Sequence, residues 1–123
     1  MINKNFVSQQ EFKRAFPNEQ VCIYHLEGIR WNKRVISPFD PSSKVYKCKG
    51  NNYKCKSTGK YFNIKTATIF ESSKLPLQKW FLAIWLITSY KKDISTLQLS
   101  IDLDINQKSA LFVLQRIKKC FEI

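Results

Sequence analysis

The chain has 123 residues, room for one domain or two very small ones, and 44% of them are hydrophobic, which excludes wholesale disorder. Lys and Arg number 21 against nine acids, a formal charge of +12 that calls for an anionic partner, with nucleic acid first and an acidic membrane surface second. The longest apolar stretch, Trp80 to Ile87, is far short of the roughly 20 residues that span a bilayer. With no signal-peptide run after Met1 either, the expectation is a cytoplasmic protein whose cysteines stay reduced.

Ser8-Gln9-Gln10-Glu11 is a capping box and opens a short helix to about Phe16. Pro17-Asn18 interrupts it, and Asn18 caps a second helix whose apolar set is Val21, Ile23, Tyr24, Leu26 and Ile29. Ser37 to Ser43 has the chemistry of a loop. Val45 to Cys48 and Tyr53 to Cys55 read as strands joined through Lys49-Gly50-Asn51-Asn52. A turn at Asn51-Asn52 would set Cys48 opposite Cys55. Tyr61 to Ile64 makes a third strand after the Thr58-Gly59 turn.

This middle segment holds no acid between Pro41 and Phe70, while seven lysines fall there, among them Lys47, Lys54 and Lys56. Lysines spaced along strands lay charge on a sheet in a way that suits a phosphate backbone. The interleaved Tyr46, Tyr53, Tyr61, Phe62 and Phe70 could stack on bases, but core packing is the more ordinary use of such rings.

Pro76 suits the first turn of a helix, and the apolar residues from Leu77 to Ile87 describe one buried on several sides, ending at Tyr90-Lys91-Lys92-Asp93. Ser95-Thr96-Leu97-Gln98 is a second capping box, for a helix to Leu103. Asp104-Ile105-Asn106 is a tight turn, and Asn106 caps a last helix through Ala110, Leu111, Val113, Leu114 and Ile117. Two helices across a three-residue turn, on a preceding long helix, point to a helix-turn-helix. Ser100 is the small residue at the crossing, Leu103 and Ile105 plug the turn, and Leu111 and Leu114 face inward. Asp104 stands where such turns favour glycine, and Asp tolerates positive φ better than most residues. Gln107, Lys108 and Ser109, at the start of the last helix, are placed to meet base edges, with Arg116 nearer the phosphates.

Two stretches carry a family resemblance. Tyr53-Lys-Cys-Lys-Ser-Thr-Gly-Lys-Tyr-Phe and Thr66-Ala-Thr-Ile-Phe-Glu71 resemble a Tyr-Arg/Lys-Cys-x-x-Cys-x-x-x-Phe knuckle followed by Thr-Gly-Thr-Ile-Phe-Glu. The segments from Lys74 to Lys92 and from Gln107 to Ile117 continue the likeness, and Cys22 to Trp31 matches upstream. Over about residues 19 to 122 the chain resembles the front end of bacterial insertion-sequence transposases of the zinc-ribbon DDE type. The resemblance implies a bacterial, cytoplasmic setting and a segment that recognises the element's terminal repeats ahead of an RNase H-like catalytic domain. It implies DNA contacts at Gln107, Lys108, Ser109 and Arg116, and a basic ribbon face of Lys47, Lys54 and Lys56.

The chain departs from that family at the metal. The first knuckle falls on Ser37-Pro38-Phe39-Asp40 and the second on Cys55-Lys56-Ser57-Thr58, so Ser37, Asp40 and Thr58 stand at three of the four ligand positions and Cys55 alone is a cysteine. Structural zinc wants four thiolate or imidazole ligands, and the expectation is a ribbon that folds without metal, Ser37 and Asp40 supplying turn hydrogen bonds in its place. A rival set, Cys22, His25, Cys48 and Cys55, has Cys-x-x-His spacing but lies partly inside a predicted helix.

The chain also stops six residues after Ile117, where the resemblance puts the catalytic domain. No carboxylate pattern for two magnesium ions is present, and no Ser-His or Cys-His pair has a third group to orient it, so no enzyme activity is expected of the chain alone. The fold class expected is α+β: N-terminal helices at 1–34, a metal-free three-stranded zinc-ribbon-like segment at 35–71, and a helix-turn-helix lobe at 72–123. The partner expected is double-stranded DNA, with a second copy or a full-length transposase as protein partners and neither a membrane nor a small-molecule substrate. The competing reading is an interaction module that exposes an aromatic patch around Trp80 and Trp85.

Overall fold

A computed structural model of the chain describes residues 6, 8–90 and 93–121. Among these residues are five α-helices and one three-stranded antiparallel sheet, so the chain is α+β. It forms two compact units, one joining Met1–Cys22 to Leu75–Ile123 and the other comprising Ile23–Lys74. That grouping differs from a division at residues 34 and 71, because the first helix buries its rings among the C-terminal helices.

In the helical unit, α1 (Gln9–Ala15) starts on Ser8, whose hydroxyl accepts the Glu11 N–H at 3.3 Å. α2 (Glu19–Arg30) starts on Asn18, whose side-chain oxygen accepts the Val21 N–H at 3.0 Å. Both caps are the ones the local sequence announces. α3 (Leu77–Trp85) is different. Its N-cap position is Pro76, which has no side-chain group to offer the first amides. The carboxylate of Glu19 supplies what is missing, accepting the Leu77 N–H at 2.8 Å and the Gln78 N–H at 3.0 Å. A negative charge at these amides also meets the positive end of the helix dipole. Gln78 returns the contact by donating its side-chain amide to the Phe16 carbonyl at 2.7 Å.

α3 continues into a π-helical turn, Leu86–Tyr90, where the Thr88 hydroxyl donates to the Ile84 carbonyl at 2.6 Å. A hydroxyl that claims the carbonyl four residues back loosens the α ladder at that point. Lys91 and Lys92, expected at the end of this segment, lie outside the described residues. Trp80 and Trp85 are fully buried. Trp85 stacks on Phe12 at 5.8 Å between ring centroids and Trp80 meets Phe112 edge-on at 6.4 Å, which removes the aromatic patch expected around the two tryptophans. Among the described residues, the large apolar side chains that this unit exposes are instead Leu97, Ile101, Leu111 and Phe112.

α4 (Thr96–Leu103) is capped by Ser95 and ends on Asp104, which takes a left-handed conformation with φ 54°. Its carbonyl accepts the Lys79 ammonium at 3.2 Å. α5 (Gln107–Phe121) starts on Asn106, which accepts the Ser109 N–H at 2.8 Å. Its buried stripe is Ala110, Val113, Leu114 and Ile117. Leu111 is exposed, contrary to the expectation that it faces inward, because it lies off this i, i+3, i+4, i+7 line. Ser100 and Leu103 are buried at the crossing, while Ile105 is half-buried.

In the second unit, strands β1 (Val45–Lys47), β2 (Asn52–Cys55) and β3 (Tyr61–Asn63) pair in that order. Val45 faces Cys55, and the Cys48 N–H reaches the Asn52 carbonyl at 2.9 Å. Cys48 therefore does not sit opposite Cys55. The turn centres on Gly50, which takes φ +67°, rather than on Asn51-Asn52, and the register moves accordingly. The end of α2 clamps one sheet face. Glu27 accepts the Tyr53 hydroxyl at 2.6 Å, and Arg30 donates to the Ile64 carbonyl at 2.8 Å while lying over the Trp31 ring. Trp31, Tyr53 and Phe62 form the ring cluster beneath, with Tyr53 and Phe62 stacked at 5.7 Å. Tyr24 and Ile29, expected in the apolar set of α2, are exposed; Cys22, Ile23 and Leu26 are its buried side chains.

Two substitutions test these accounts by denaturant unfolding. Glu19→Ala leaves the first amides of α3 without their acceptor and should destabilise the chain by about 1–2 kcal/mol, with Glu19→Gln losing less; an unchanged midpoint in Glu19→Ala would refute the cap. Ala67 holds φ +62° in the Thr66-Ala67-Thr68 turn, where the resembled pattern has glycine. Ala67→Gly should stabilise by about 1 kcal/mol, because the Cβ that penalises the left-handed region is removed.

Candidate nucleic-acid interface

The outward side of α5 is the complement of its buried stripe. Gln107, Lys108, Leu111, Phe112, Gln115 and Lys119 are exposed, and no acid lies between Gln107 and Phe121. Lys108, Leu111, Phe112, Gln115 and Lys119 recur at helical spacing, and Gln107 begins the same surface at the free N-terminal end. Of the residues expected to touch DNA, Gln107 and Lys108 stand on this side. Ser109 is half-buried beside it, and Arg116 is half-buried with its guanidinium 4.6 Å from the Phe112 ring centroid. The sequence reading puts Leu111 in the core and does not single out Phe112 or Gln115, although their offset from Ala110, Val113 and Leu114 places all three there. Apolar side chains on such a face match the methyl groups of thymine, as glutamine matches adenine.

The lysines of the ribbon unit divide between surfaces. Lys47 pairs with Tyr53 and so shares the face with the buried rings, while Lys54 pairs with Tyr46 and Tyr61 and shares the opposite one. Lys56 is exposed just past β2, its N–H bonded to the Lys44 carbonyl at 3.0 Å. Lys47, Lys54 and Lys56 thus do not make a single face. Lys47 instead joins Lys33, Arg34 and Lys44 along the free edge of β1, where an open groove of about 570 Å³ runs between them. Four cations around one groove suit a run of phosphates.

The four positions that the resembled knuckles give to metal ligands, Ser37, Asp40, Cys55 and Thr58, do come together, as a hydrogen-bond network. The buried Ser37 hydroxyl accepts the N–H groups of Phe39 at 3.0 Å and Asp40 at 3.3 Å. One oxygen of Asp40 accepts the Ser42 N–H at 3.1 Å and the Ser42 hydroxyl at 2.7 Å; the other accepts the Ser57 hydroxyl at 2.7 Å. These bonds, Ser57's foremost, hold the Asp40 carboxyl below its ordinary range. The Cys55 sulfur lies 3.5 Å from the Ser57 oxygen under a thin shell of hydroxyls. Hydrogen bonds from Ser37, then Ser43 and Thr58, outweigh the burial that opposes them and draw the thiol down to about 6.

One thiol, one carboxylate and two hydroxyls do not fit structural zinc, whose sites are built from thiolate and imidazole. Asp40 is moreover already bonded to both loops that a metal would join, through Ser42 and Ser57. Among the described residues, no three His, Cys, Asp or Glu side chains are grouped to hold a metal, the set Cys22, His25, Cys48 and Cys55 included. Among the same residues, no helix is long and apolar enough to cross a membrane.

The chain has a relative in a transposable element. It is 29% identical over 113 residues to a protein of Halobacterium salinarum described as an uncharacterized protein in transposable element ISH50. The alignment covers 89% of this chain but 38% of that relative, so the chain spans under two-fifths of its relative's length. The similarity supports an origin in a transposable element. No family model matches the chain, and no solved structure matches it.

The Cys55 network carries a pH signature. A group whose pKa falls from 9.0 unfolded to about 6 folded contributes stability that is complete above 9 and lost as pH falls through 6. Unfolding midpoints measured from pH 9 down to pH 6 should therefore decline more steeply for the natural chain than for Cys55→Ser. Parallel profiles would show that the thiolate contributes nothing.

Proposed function

We propose that this chain is the DNA-binding portion of a transposable-element protein, an insertion-sequence transposase, and that it recognises the terminal repeats of its element. α4 and α5 then act as a helix-turn-helix. The observation that carries the reading is the acid-free outer side of α5. There Gln107 and Lys108 stand free at the helix start, and Leu111, Phe112 and Gln115 continue along the same surface. In a recognition helix the N-terminal residues meet base edges while more distal cations meet phosphate. Gln107 can pair bidentately with adenine, Lys108 can reach guanine, and Phe112 can cover a thymine methyl. Arg116 braces the Phe112 ring from the next turn. Lys118 and Lys119 lie at the helix C-terminus, where they also complement the dipole. The groove of Lys33, Arg34, Lys44 and Lys47 adds phosphate contacts from the ribbon unit. A net charge of +12 and the transposable-element relative both accord with this reading.

Binding to a labelled terminal-repeat duplex and to a scrambled duplex, across a salt series, tests it. The repeat should bind at least about tenfold tighter, a margin of about 1.4 kcal/mol, and Gln107→Ala should abolish that margin. Lys119→Ala should weaken both duplexes alike and reduce the salt slope by about one. Equal binding to the two duplexes would remove the claim of sequence recognition, and no binding at low salt would remove the DNA reading altogether.

A further inference from the structure

The five aromatic residues of the acid-free segment have two fates. Tyr53, Phe62 and Phe70 are buried, whereas Tyr46 and Tyr61 are 48% and 64% exposed. The register places the exposed pair in a single row, Tyr46 facing Lys54 and Lys54 facing Tyr61 across the three strands. Side chains directly opposite in a sheet share a face, so two tyrosines flank one lysine on the side turned away from the Trp31, Tyr53 and Phe62 cluster. With strands about 4.8 Å apart, the tyrosines are about 10 Å from each other. The Lys54 ammonium lies 5.5 Å from the Tyr61 ring centroid, which holds the charge against the ring. Lys44 and Lys56, both exposed and joined by their backbone hydrogen bond, pair just past the ends of β1 and β2, two residues along from Tyr46 and Lys54.

Tyrosine exposed at this level on a strand contributes nothing to the core, and no acid from Pro41 to Phe70 offers these lysines an ion pair. Rings spaced across a cationic sheet are instead suited to unpaired nucleobases, which present flat π faces while their phosphates run past the lysines. A duplex cannot use this surface, since its bases are stacked on one another.

We propose that the Tyr46–Lys54–Tyr61 face of the ribbon is a platform for unpaired bases of a DNA strand, each tyrosine stacking one base and Lys44, Lys54 and Lys56 meeting phosphate. This site is separate from α5 and requires the strands to be apart, so it goes beyond duplex recognition and stands or falls without it. The charge complementarity selects a nucleic-acid occupant over a protein one.

Fluorescence anisotropy with a labelled single-stranded dT12 and the full chain tests the platform. Tyr46→Ala and Tyr61→Ala should each weaken binding between about fivefold and about 150-fold, matching the roughly 1–3 kcal/mol assigned to one stacked base. Tyr46→Trp and Tyr61→Trp should retain it. A dT12 of the same length with abasic sugars should bind the natural chain as weakly as dT12 binds the double alanine variant. Both tyrosines are exposed, so unchanged unfolding midpoints should certify that the variants are folded. Gln107→Ala should leave dT12 binding intact, and the alanine variants should leave duplex binding within twofold, which separates failure here from failure of α5. Loss of less than twofold in both alanine variants, or equal binding of the abasic and natural oligomers, would overturn the proposal.

Discussion

Helix α3 begins at a proline, and a proline cannot cap. Its first amides, part-buried, would otherwise lack an acceptor, at a cost comparable to a lost hydrogen bond for each. Glu19 resolves this from 58 residues away, with both carboxylate oxygens engaged. The same residue opens α2, so one side chain fixes the start of two helices relative to each other. Gln78 binds the Phe16 carbonyl between α1 and α2 in return. The aromatic packing of Phe12, Phe16, Phe81 and Trp85 lies around this junction, and α5 is seated on Trp80 of the helix that the junction anchors. The proposed recognition surface thus rests on an interaction far from it in the chain.

The ribbon unit solves a different problem. A small sheet with few strands has little apolar area to bury, and domains this small commonly lean on a metal to hold their loops. Here Ser37, Asp40, Ser42, Ser43 and Ser57 close the same loops through neutral and charge-assisted hydrogen bonds, around a single sulfur. Several modest bonds act together where coordination bonds would otherwise act. Asp40 bonds to Ser57 across 17 residues, so the network joins the loop before β1 to the turn after β2, the connection a shared metal would make.

What the sequence made legible follows the range of the interactions concerned. Ser8, Asn18, Ser95 and Asn106 cap their helices as local patterns indicate, and the left-handed Asp104 and the three strands fall where turn chemistry puts them. Caps and turns are decided within a few residues. The Glu19 cap was not legible, because nothing near Leu77 identifies an acceptor so distant in sequence. The hairpin register was misread because Asn51-Asn52 and Gly50 both make turns, and only the flanking pairing decides between them. Leu111, Tyr24 and Ile29 show a limit of apolar counting, since a helix with more apolar residues than its partner can cover leaves some outside. On α5 that surplus is what shapes the candidate site, whose polar end at Gln107 and Lys108 was readable and whose apolar continuation was not. The resemblance groups Lys47 and Lys54 on one basic face, whereas strand alternation and the register separate them.

The ribbon unit is inserted within the helical one, between Cys22 and Leu75. During synthesis, α1 and the head of α2 therefore emerge well before any residue of α3 exists, and Phe12 and Phe16 wait without their partners. The inserted segment has all of its own contacts in hand by Lys74 and is free to condense first. Joining α1 to α3 then means closing a loop of about 60 residues, an entropic cost that grows only slowly with length and that a folded insert reduces by drawing in the intervening chain. The helical unit is consequently the last to be completed. Its rings are the surface on which a nascent chain is most exposed to misassociation, although the finished protein buries Phe12, Phe16, Trp80 and Trp85.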